Sequence, residues 1–426
     1  MSNMLYTEIG GVHTNTNNKL QARAKRSAKP SAELEPKVKN YLVDHLRRNV
    51  SSAAQNINVP PQYFSGSQLK ALYNVPTVVP SPNAKKTTIA IVVAFKYSGL
   101  RTDLATYWQN SINFGPNSTP PTINVYTMPN ATFNSGWAQE ECLDVQMVCT
   151  MNPNANIWVV EAKSDTFTDM MAAVNYATNT ILADVVSMSW GADDRTHFAP
   201  YASNFTNKSV CYCAATGDAN TANWPAVLSN CIAVGGTSVI WTPNTTPNSG
   251  NSNVRTEFTW TGAGCGYSAS VTQPTYQKNV STISHSYRAI PDVSMIANPQ
   301  TSVYTVFQGQ WSGVGGTSVS TPLFASILSL ANQLRFNQNK PALTSVFSDT
   351  AGVTPTNLQN YLYKTIYTTS SQYTSAFYDV LMGTDDGSVG GNSVNLTKYA
   401  EGTGYSLPTG LGSPNATNLC NLLVNV

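Results

Sequence analysis

An α/β fold built on a mainly parallel sheet, with helices flanking it, is what this sequence predicts, and three features predict it. TTIAIVVAF (87–95) is an unbroken apolar, β-branched run, as a strand covered on both faces requires. Further runs of this kind alternate with stretches of helical periodicity, a pattern that implies right-handed crossovers. TPLFASILSLANQLRF (321–336) is long and apolar enough to be a buried helix.

Taken in order, residues 1–62 read as an N-terminal basic extension. They carry Lys19, Arg23, Lys25, Arg26, Lys29, Lys37, Lys39, Arg47 and Arg48 and few large apolar side chains. Within them only the stretch from Glu35 to Arg48 has a helical pattern, with Pro36 in its first turn. RAKRS (23–27) has the composition of a basic processing site. Residues 63–426 read as one large domain. After strand 87–95 a helix is expected at 102–112, and WAQEECLDVQMVCTM (137–151) is amphipathic at helical spacing. NIWVVEA (156–162) is a strand, followed by a helix that aligns Phe167, Met170, Val174 and Ala177. DVVSMSW (184–190), SVCYCAATG (209–217) and CIAVGG (231–236) are further strands. Residues 240–310 are rich in turn formers, with short irregular strands, and no internal repeat or second core is visible.

Composition narrows the function. The 426 residues include 24 Lys+Arg and 22 Asp+Glu, a net charge of +2, which excludes the field of a nucleic-acid-binding protein. Only 11% of residues are charged, so the polar surface is Ser, Thr, Asn and Gln, and its charge changes little in acid. At 41% hydrophobic residues, global disorder is ruled out. No apolar run approaches the roughly 18 residues of a membrane span, and MSNMLYTEIGG lacks the basic-then-apolar order of a signal peptide. The cysteines (Cys142, Cys149, Cys211, Cys213, Cys231, Cys265 and Cys420) are odd in number and include no CxxC. Buried free thiols are expected, with a disulfide from the Cys211/Cys213 pair to Cys231 as the alternative.

Three segments carry chemistry. In GGTSVSTP (315–322) a Ser follows paired glycines at the start of a buried helix, where unpaired amides and the positive dipole end stabilise an oxyanion. Ser318 is therefore either a nucleophile or an ordinary helix cap. A nucleophile needs a base. His13, His45, His197 and His285 all sit in tail or loop contexts, without the His-Gly-Thr of subtilisin-type enzymes. The other candidates are carboxylates. Glu140 and Asp144 lie one turn apart on one helix face, so each raises the other's proton affinity and the pair can share a proton. Glu141 is a spare pointing elsewhere. In ATGDAN (215–220) a strand ends in Thr-Gly-Asp, placing Asp218 at the carboxyl edge of the sheet, as a site residue or a turn former.

Together these segments resemble the sedolisins, serine-carboxyl peptidases that include a tripeptidyl-peptidase branch. EECLD (140–144), VVSMSWG (185–191), ATGDAN, WPAVLSNCIAVGGTS, GGTSVSTPLFASILSL (315–330) and the FYDV (377–380) and GTGYSLPTGLGSPN (402–415) segments are similar to family motifs, in the family's order. The resemblance covers about residues 60–425 and implies a subtilisin-like fold and an acid-acting peptidase. It makes Ser318 the nucleophile, Glu140 its general base, Asp144 the group that holds Glu140, and a protonated Asp218 the oxyanion donor. Ser189, Trp190 and Gly191 would pair with a peptide substrate as an added strand. The resemblance also implies Ca²⁺ held by Asp379, the Val380 carbonyl and the carbonyls of Gly402 and Gly404. Ser406 stands where the family has a carboxylate, unless Asp385 or Asp386 substitutes.

The extension is shorter than the family's folded prodomain, and Thr-Gly-Asp-Ala-Asn replaces Ser-Gly-Asp-Ser-Gly. These departures motivate a rival reading, a catalytically inactive relative serving as a structural or binding module. A second rival is a neutral, His-dependent subtilisin-like protease. The expected partners are peptides or proteins, with no nucleic acid and no membrane span, and the expected state is a monomer. The mechanism suits an acidic compartment or the extracellular space. The Asn-rich composition suits an AT-rich genome such as a virus carries, so virion association is a further expectation.

Overall fold

A computed structural model of the chain describes residues 35–44, 62–242, 254–346, 357–381, 384–385, 388–389, 392–393, 399–400 and 403–426. The chain divides into Met1–Glu35, of which only Glu35 is described, and Pro36–Val426, which carries the fold. Two short strands, β1 (Lys39–Asn40) and β2 (Val43–Asp44), precede helix α1 (Gly66–Leu72). There follow β3 (Thr88–Ala94), α2 (Leu100–Trp108), β4 (Ile123–Thr127), α3 (Ser135–Met151), β5 (Asn156–Ala162) and α4 (Phe167–Asn179). The alternation continues through β6 (Val185–Met188), β7 (Trp190–Asp193), β8 (Cys211–Ala215), β9 (Asn223–Trp224), β10 (Cys231–Thr242) and β11 (Val254–Thr259). After β12 (Gly266–Thr272), β13 (Tyr287–Ile290) and β14 (Val293–Ile296), β15 (Val303–Phe307) and β16 (Gln310–Gly315) form a hairpin that leads into α5 (Thr317–Phe336).

The main sheet runs β11-β10-β8-β6-β3-β5-β4, with β14 also paired to β10. All neighbours are parallel except the edge strand β11, which folds back antiparallel on β10. This is the predicted architecture. β3 sits near the middle, with Ile91 opposite Val159 on one side and Ser187 on the other, and every one of its residues is buried. Helices α3, α4 and α5 cover it, so neither face meets water and an alternating pattern would be unsatisfiable there. Strand β4, whose central residues are only half-buried, has no comparable apolar run to announce it.

Two expectations are corrected. The helix at 137–151 is present, but it has no solvent face: every residue from Trp137 to Met151 is buried, packed between the sheet, α2, α5 and β15. Its polar residues are accommodated by partners rather than by water. Gln146 illustrates this, donating to Val306 O at 2.7 Å and accepting from Val306 N at 2.9 Å. The second correction concerns 35–48, where no helix forms in the described residues. Lys39 and Asn40 pair antiparallel with Gly191 and Trp190, and Val43 and Asp44 with Gly315 and Val314. A 14-residue helix is marginal alone, whereas two exposed strand edges satisfy the same backbone groups at once. Residues 45–48 lie outside the described set.

Candidate active site

The carboxyl ends of β6 and β8, the middle of α3 and the first turn of α5 meet at one point. β6 ends at Met188, and Ser189 follows it into the crevice. β8 ends at Ala215, and the Thr216–Gly217–Asp218 turn follows. Ser318 is the second residue of α5, and Gly316, not Ser318, is the helix cap, with φ of +106°. The ordinary-cap reading of Ser318 therefore fails. Its hydroxyl instead points to the Ser189 carbonyl oxygen at 3.3 Å. The helix start is capped from outside by Asp218, whose Oδ1 accepts from Thr317 N at 2.9 Å and from Thr317 Oγ1 at 2.8 Å. A carboxyl at the positive end of a 20-residue helix is well placed electrostatically.

Glu140 and Asp144 face this point from α3, both wholly buried. Asp144 Oδ1 accepts from Ser189 Oγ at 2.7 Å. Burial pushes the Asp144 carboxyl well above its ordinary range, and the Ser189 hydroxyl only partly opposes this. Glu140 is likewise raised, first by burial and then by the charge of Asp144, with Asp218 adding to the effect and the Ser318 hydroxyl opposing it. Neither Glu140 oxygen makes a well-formed hydrogen bond among the described residues. Catalytic contacts are often loose until a substrate is aligned. A buried carboxyl pair with raised proton affinity holds a proton in mild acid and can pass it on.

Glu141, expected to point away, is also buried, and its proton affinity is raised by burial and by Glu161 beside it. Glu161 itself accepts from Tyr97 N at 2.8 Å and from the Thr127 hydroxyl. Nothing in the sequence near either residue signals this second pair; only the crossing of α3 over β5 brings them together.

The residues expected to pair with a substrate already pair with the chain's own strand. Ser189, Trp190 and Gly191 are buried, and Trp190 is fixed by a 2.8 Å hydrogen bond from Nε1 to Val92 O. Their backbone pairs with β1, and Tyr41 N donates to Ser189 O at 3.3 Å. The Tyr41 carbonyl oxygen in turn accepts from Ser318 N at 3.4 Å. A methyl group on Gly316 would lie 1.9 Å from that oxygen and 2.7 Å from Asp218 Oδ2, so the bare Cα is what admits the carbonyl.

Of the histidines, His285 stacks on Tyr267 with centroids 4.6 Å apart, and none hydrogen-bonds Ser318 among the described residues. His13, His45 and the His197 side chain lie outside them. All seven cysteines are buried free thiols; the alternative disulfide to Cys231 does not form.

The calcium segment is less accommodating. Asp379 is the one carboxylate among its described side chains, and both its oxygens are engaged, accepting from Gly404 N at 2.9 Å and Tyr373 Oη at 3.1 Å. Burial raises its proton affinity. The Ser406 hydroxyl lies 3.0 Å from Thr409 Oγ1. Gly402, Asp386 and the Asp385 side chain lie outside the described residues. No group of three or more His, Cys, Asp or Glu side chains converges anywhere among the described residues. A hard cation needs six to eight oxygen ligands, and the described side chains alone do not supply that set.

Residues 130–395 match the subtilase family. The chain is 26% identical over 314 residues to kumamolisin of Bacillus sp. (strain MN-32), covering 66% of this chain and 50% of that protein. It is 25% identical over 337 residues to tripeptidyl-peptidase 1 of Dictyostelium discoideum, covering 70% and 49%. The chain thus spans about half the length of these curated relatives. In three dimensions it resembles Pseudomonas sedolisin (serine-carboxyl proteinase), solved with two molecules of pseudo-iodotyrostatin. The TM-score is 0.67 at 21% identity, over 85% of this chain and 98% of that one.

Proposed function

Because this chain belongs to the subtilase family, we propose that it is a serine-carboxyl peptidase, hydrolysing peptide bonds through an acyl-enzyme on Ser318. One observation carries the reading. Ser318, Glu140, Asp144 and Asp218, drawn from three distant segments, lie in one electrostatic neighbourhood, with no histidine bonded to the serine among the described residues.

Glu140 takes the Ser318 proton as Oγ attacks the carbonyl carbon. Asp144, held by Ser189, positions Glu140 and shares the proton. The Ser318 amide and the protonated Oδ2 of Asp218 donate to the developing oxyanion, where each donor strengthens as charge grows. Glu140 then returns its proton to the leaving amine, and water, deprotonated by the same group, releases the acyl product. A carboxyl donates only while neutral, so turnover belongs to acid and fails as Asp218 ionises. Peptides or proteins are the substrates, and an acidic setting is where the enzyme works.

Cleavage of a quenched peptide library from about pH 3 to 8 tests this, spanning the titration of carboxylates and histidine. Activity confined to acid and lost in Ser318→Ala and Glu140→Ala is expected. Activity that survives both, or silence from folded protein, would favour the inactive-relative reading or a different mechanism.

A further inference from the structure

We propose that the crevice selects peptides carrying Lys or Arg at the third and fifth positions before the scissile bond, and that Asp193 and Asp165 do the selecting. The inference rests on the serine-carboxyl reading above and names a substrate class for it. Residues 36–41 lie along the crevice as an extended peptide, so they measure where a substrate's side chains fall. Tyr41 N donates to Ser189 O at 3.3 Å, and the Tyr41 carbonyl oxygen accepts from Ser318 N at 3.4 Å. A residue in that place is the one whose carbonyl Ser318 would attack. Counting upstream from it, Lys39 is third and Lys37 fifth, opposite Gly191 and Thr166. Side chains two apart in an extended strand share a face, and Lys39 Nζ accordingly lies 5.9 Å from the Tyr41 ring centroid.

Each of the two lysines meets a carboxylate. Lys37 Nζ is 2.9 Å from Asp165 Oδ1, and Lys39 Nζ is 3.6 Å from Asp193 Oδ1. The two acids come from different segments, the turn between β5 and α4 and the end of β7, yet their spacing matches the two-residue period of a bound strand. In a chain with 22 acidic residues among 426, two carboxylates opposite alternate positions of one strand are a pattern and not a general acidity. Each also sits on a fixed piece of backbone. Thr166, next to Asp165, caps α4, its hydroxyl accepting from Asp169 N. Asp194, next to Asp193, is buried and accepts from Ser268 Oγ at 2.6 Å, Ala269 N at 2.6 Å and Ser270 Oγ at 2.8 Å, which pins the end of β7 to β12. Arg195 lies 3.6 Å from Asp193 Oδ2, so Oδ1 is the oxygen presented to the bound strand.

Exposure ranks the two acids. The Asp165 side chain is 19% exposed and the Asp193 side chain 55%, so water and salt screen the second pair more. An ion pair at a protein surface is worth about a 2- to 5-fold preference, and the Asp165 pair, shorter and less solvated, belongs at the upper end. The opposite face of the strand is read differently. Val38 is buried, and Asn40 Nδ2 donates to Gly136 O at 3.1 Å. The fourth position is thus read by packing and the second by a neutral carbonyl, so the charge preference alternates along the substrate.

The test is cleavage by the full chain, at about pH 5, of peptide mixtures randomised over the five positions before the cut. Wild type should prefer Lys and Arg to Gln by about fivefold at the fifth position and about twofold at the third, and both preferences should shrink as salt is raised. Asp193→Lys should turn the third position toward Glu and leave the fifth alone, and Asp165→Lys should do the reverse. A purely structural role for either acid would lower cleavage of every peptide together and could not move one position at a time. Cleavage without a basic preference at these two positions, or with one that neither reversal moves, would overturn the inference and leave the peptidase reading in place. Silence from folded protein would overturn both.

Discussion

Ser189 binds Asp144 with one end and Ser318 with the other. Its hydroxyl donates to Asp144 Oδ1 at 2.7 Å, while its carbonyl oxygen receives the Ser318 hydroxyl and the Tyr41 amide, each at 3.3 Å. A single residue just past β6 thus links Asp144 to Ser318 and to the Tyr41 backbone.

Replacing Ser189 with Ala tests that coupling, because the carbonyl remains and only the hydroxyl goes. Asp144 would keep a buried oxygen without its donor, a loss of about 1–3 kcal/mol. Its proton affinity would rise further, since the Ser189 bond is what opposes burial. Turnover should fall about 10- to 100-fold, with the pH profile displaced upward and KM little changed. A variant with wild-type turnover and an unmoved profile would dissociate Asp144 from the chemistry.

Asp218 offers a sharper pH test. In Asp218→Asn the amide oxygen can still accept from Thr317, while the nitrogen donates to the oxyanion at any pH. The alkaline limb of the kcat profile should move toward neutrality. Asp218→Ala has no donor and should lose about 100- to 1,000-fold at every pH. Identical pH limbs in wild type and Asp218→Asn would argue against a protonated carboxyl as donor.

Gly316→Ala should be nearly inactive. Its φ of +106° is strained for any L side chain, costing about 1–3 kcal/mol. The added methyl would also lie 1.9 Å from Tyr41 O, in the space that carbonyl fills. A displacement of about 1 Å in such a geometry costs about 100-fold, so kcat/KM should fall by at least that much in protein that circular dichroism shows folded.

Stability should also favour acid. Glu140, Glu141 and Asp144 all have proton affinities raised by burial above their ordinary values of 4.5, 4.5 and 3.8. The folded chain therefore holds protons that the unfolded chain gives up. That contribution is fully present below the ordinary values and is lost as pH climbs through the raised ones. The unfolding midpoint should be several degrees higher near about pH 4 than near about pH 7, and Glu140→Gln with Glu141→Gln should flatten the difference. A midpoint that rises toward neutrality in wild type would contradict the assignment.

Much of this was visible in the sequence wherever one physical demand dominated. A strand buried on both faces must be apolar throughout, so 87–95 declared itself; a buried helix of more than four turns, 321–336, did the same. The i, i+4 spacing of Glu140 and Asp144 fixes their common face from helical geometry alone. Residues 35–48 were misread because local propensity and tertiary demand conflict there, and the crevice edges that decide the matter lie about 150 and 270 residues away in the chain. The Glu141–Glu161 pair and the cap at Gly316 were missed for a related reason. Each depends on the angle at which two elements cross, or on one residue's φ, and neither leaves a periodic trace.

A crevice filled by the protein's own strand is a closed one. A peptide entering it would have to displace a strand tied in on both sides, at Gly191 and Trp190 and again at Val314 and Gly315. Under the proposed peptidase reading, progress curves should begin with a lag set by how fast that strand leaves, the same at every enzyme concentration.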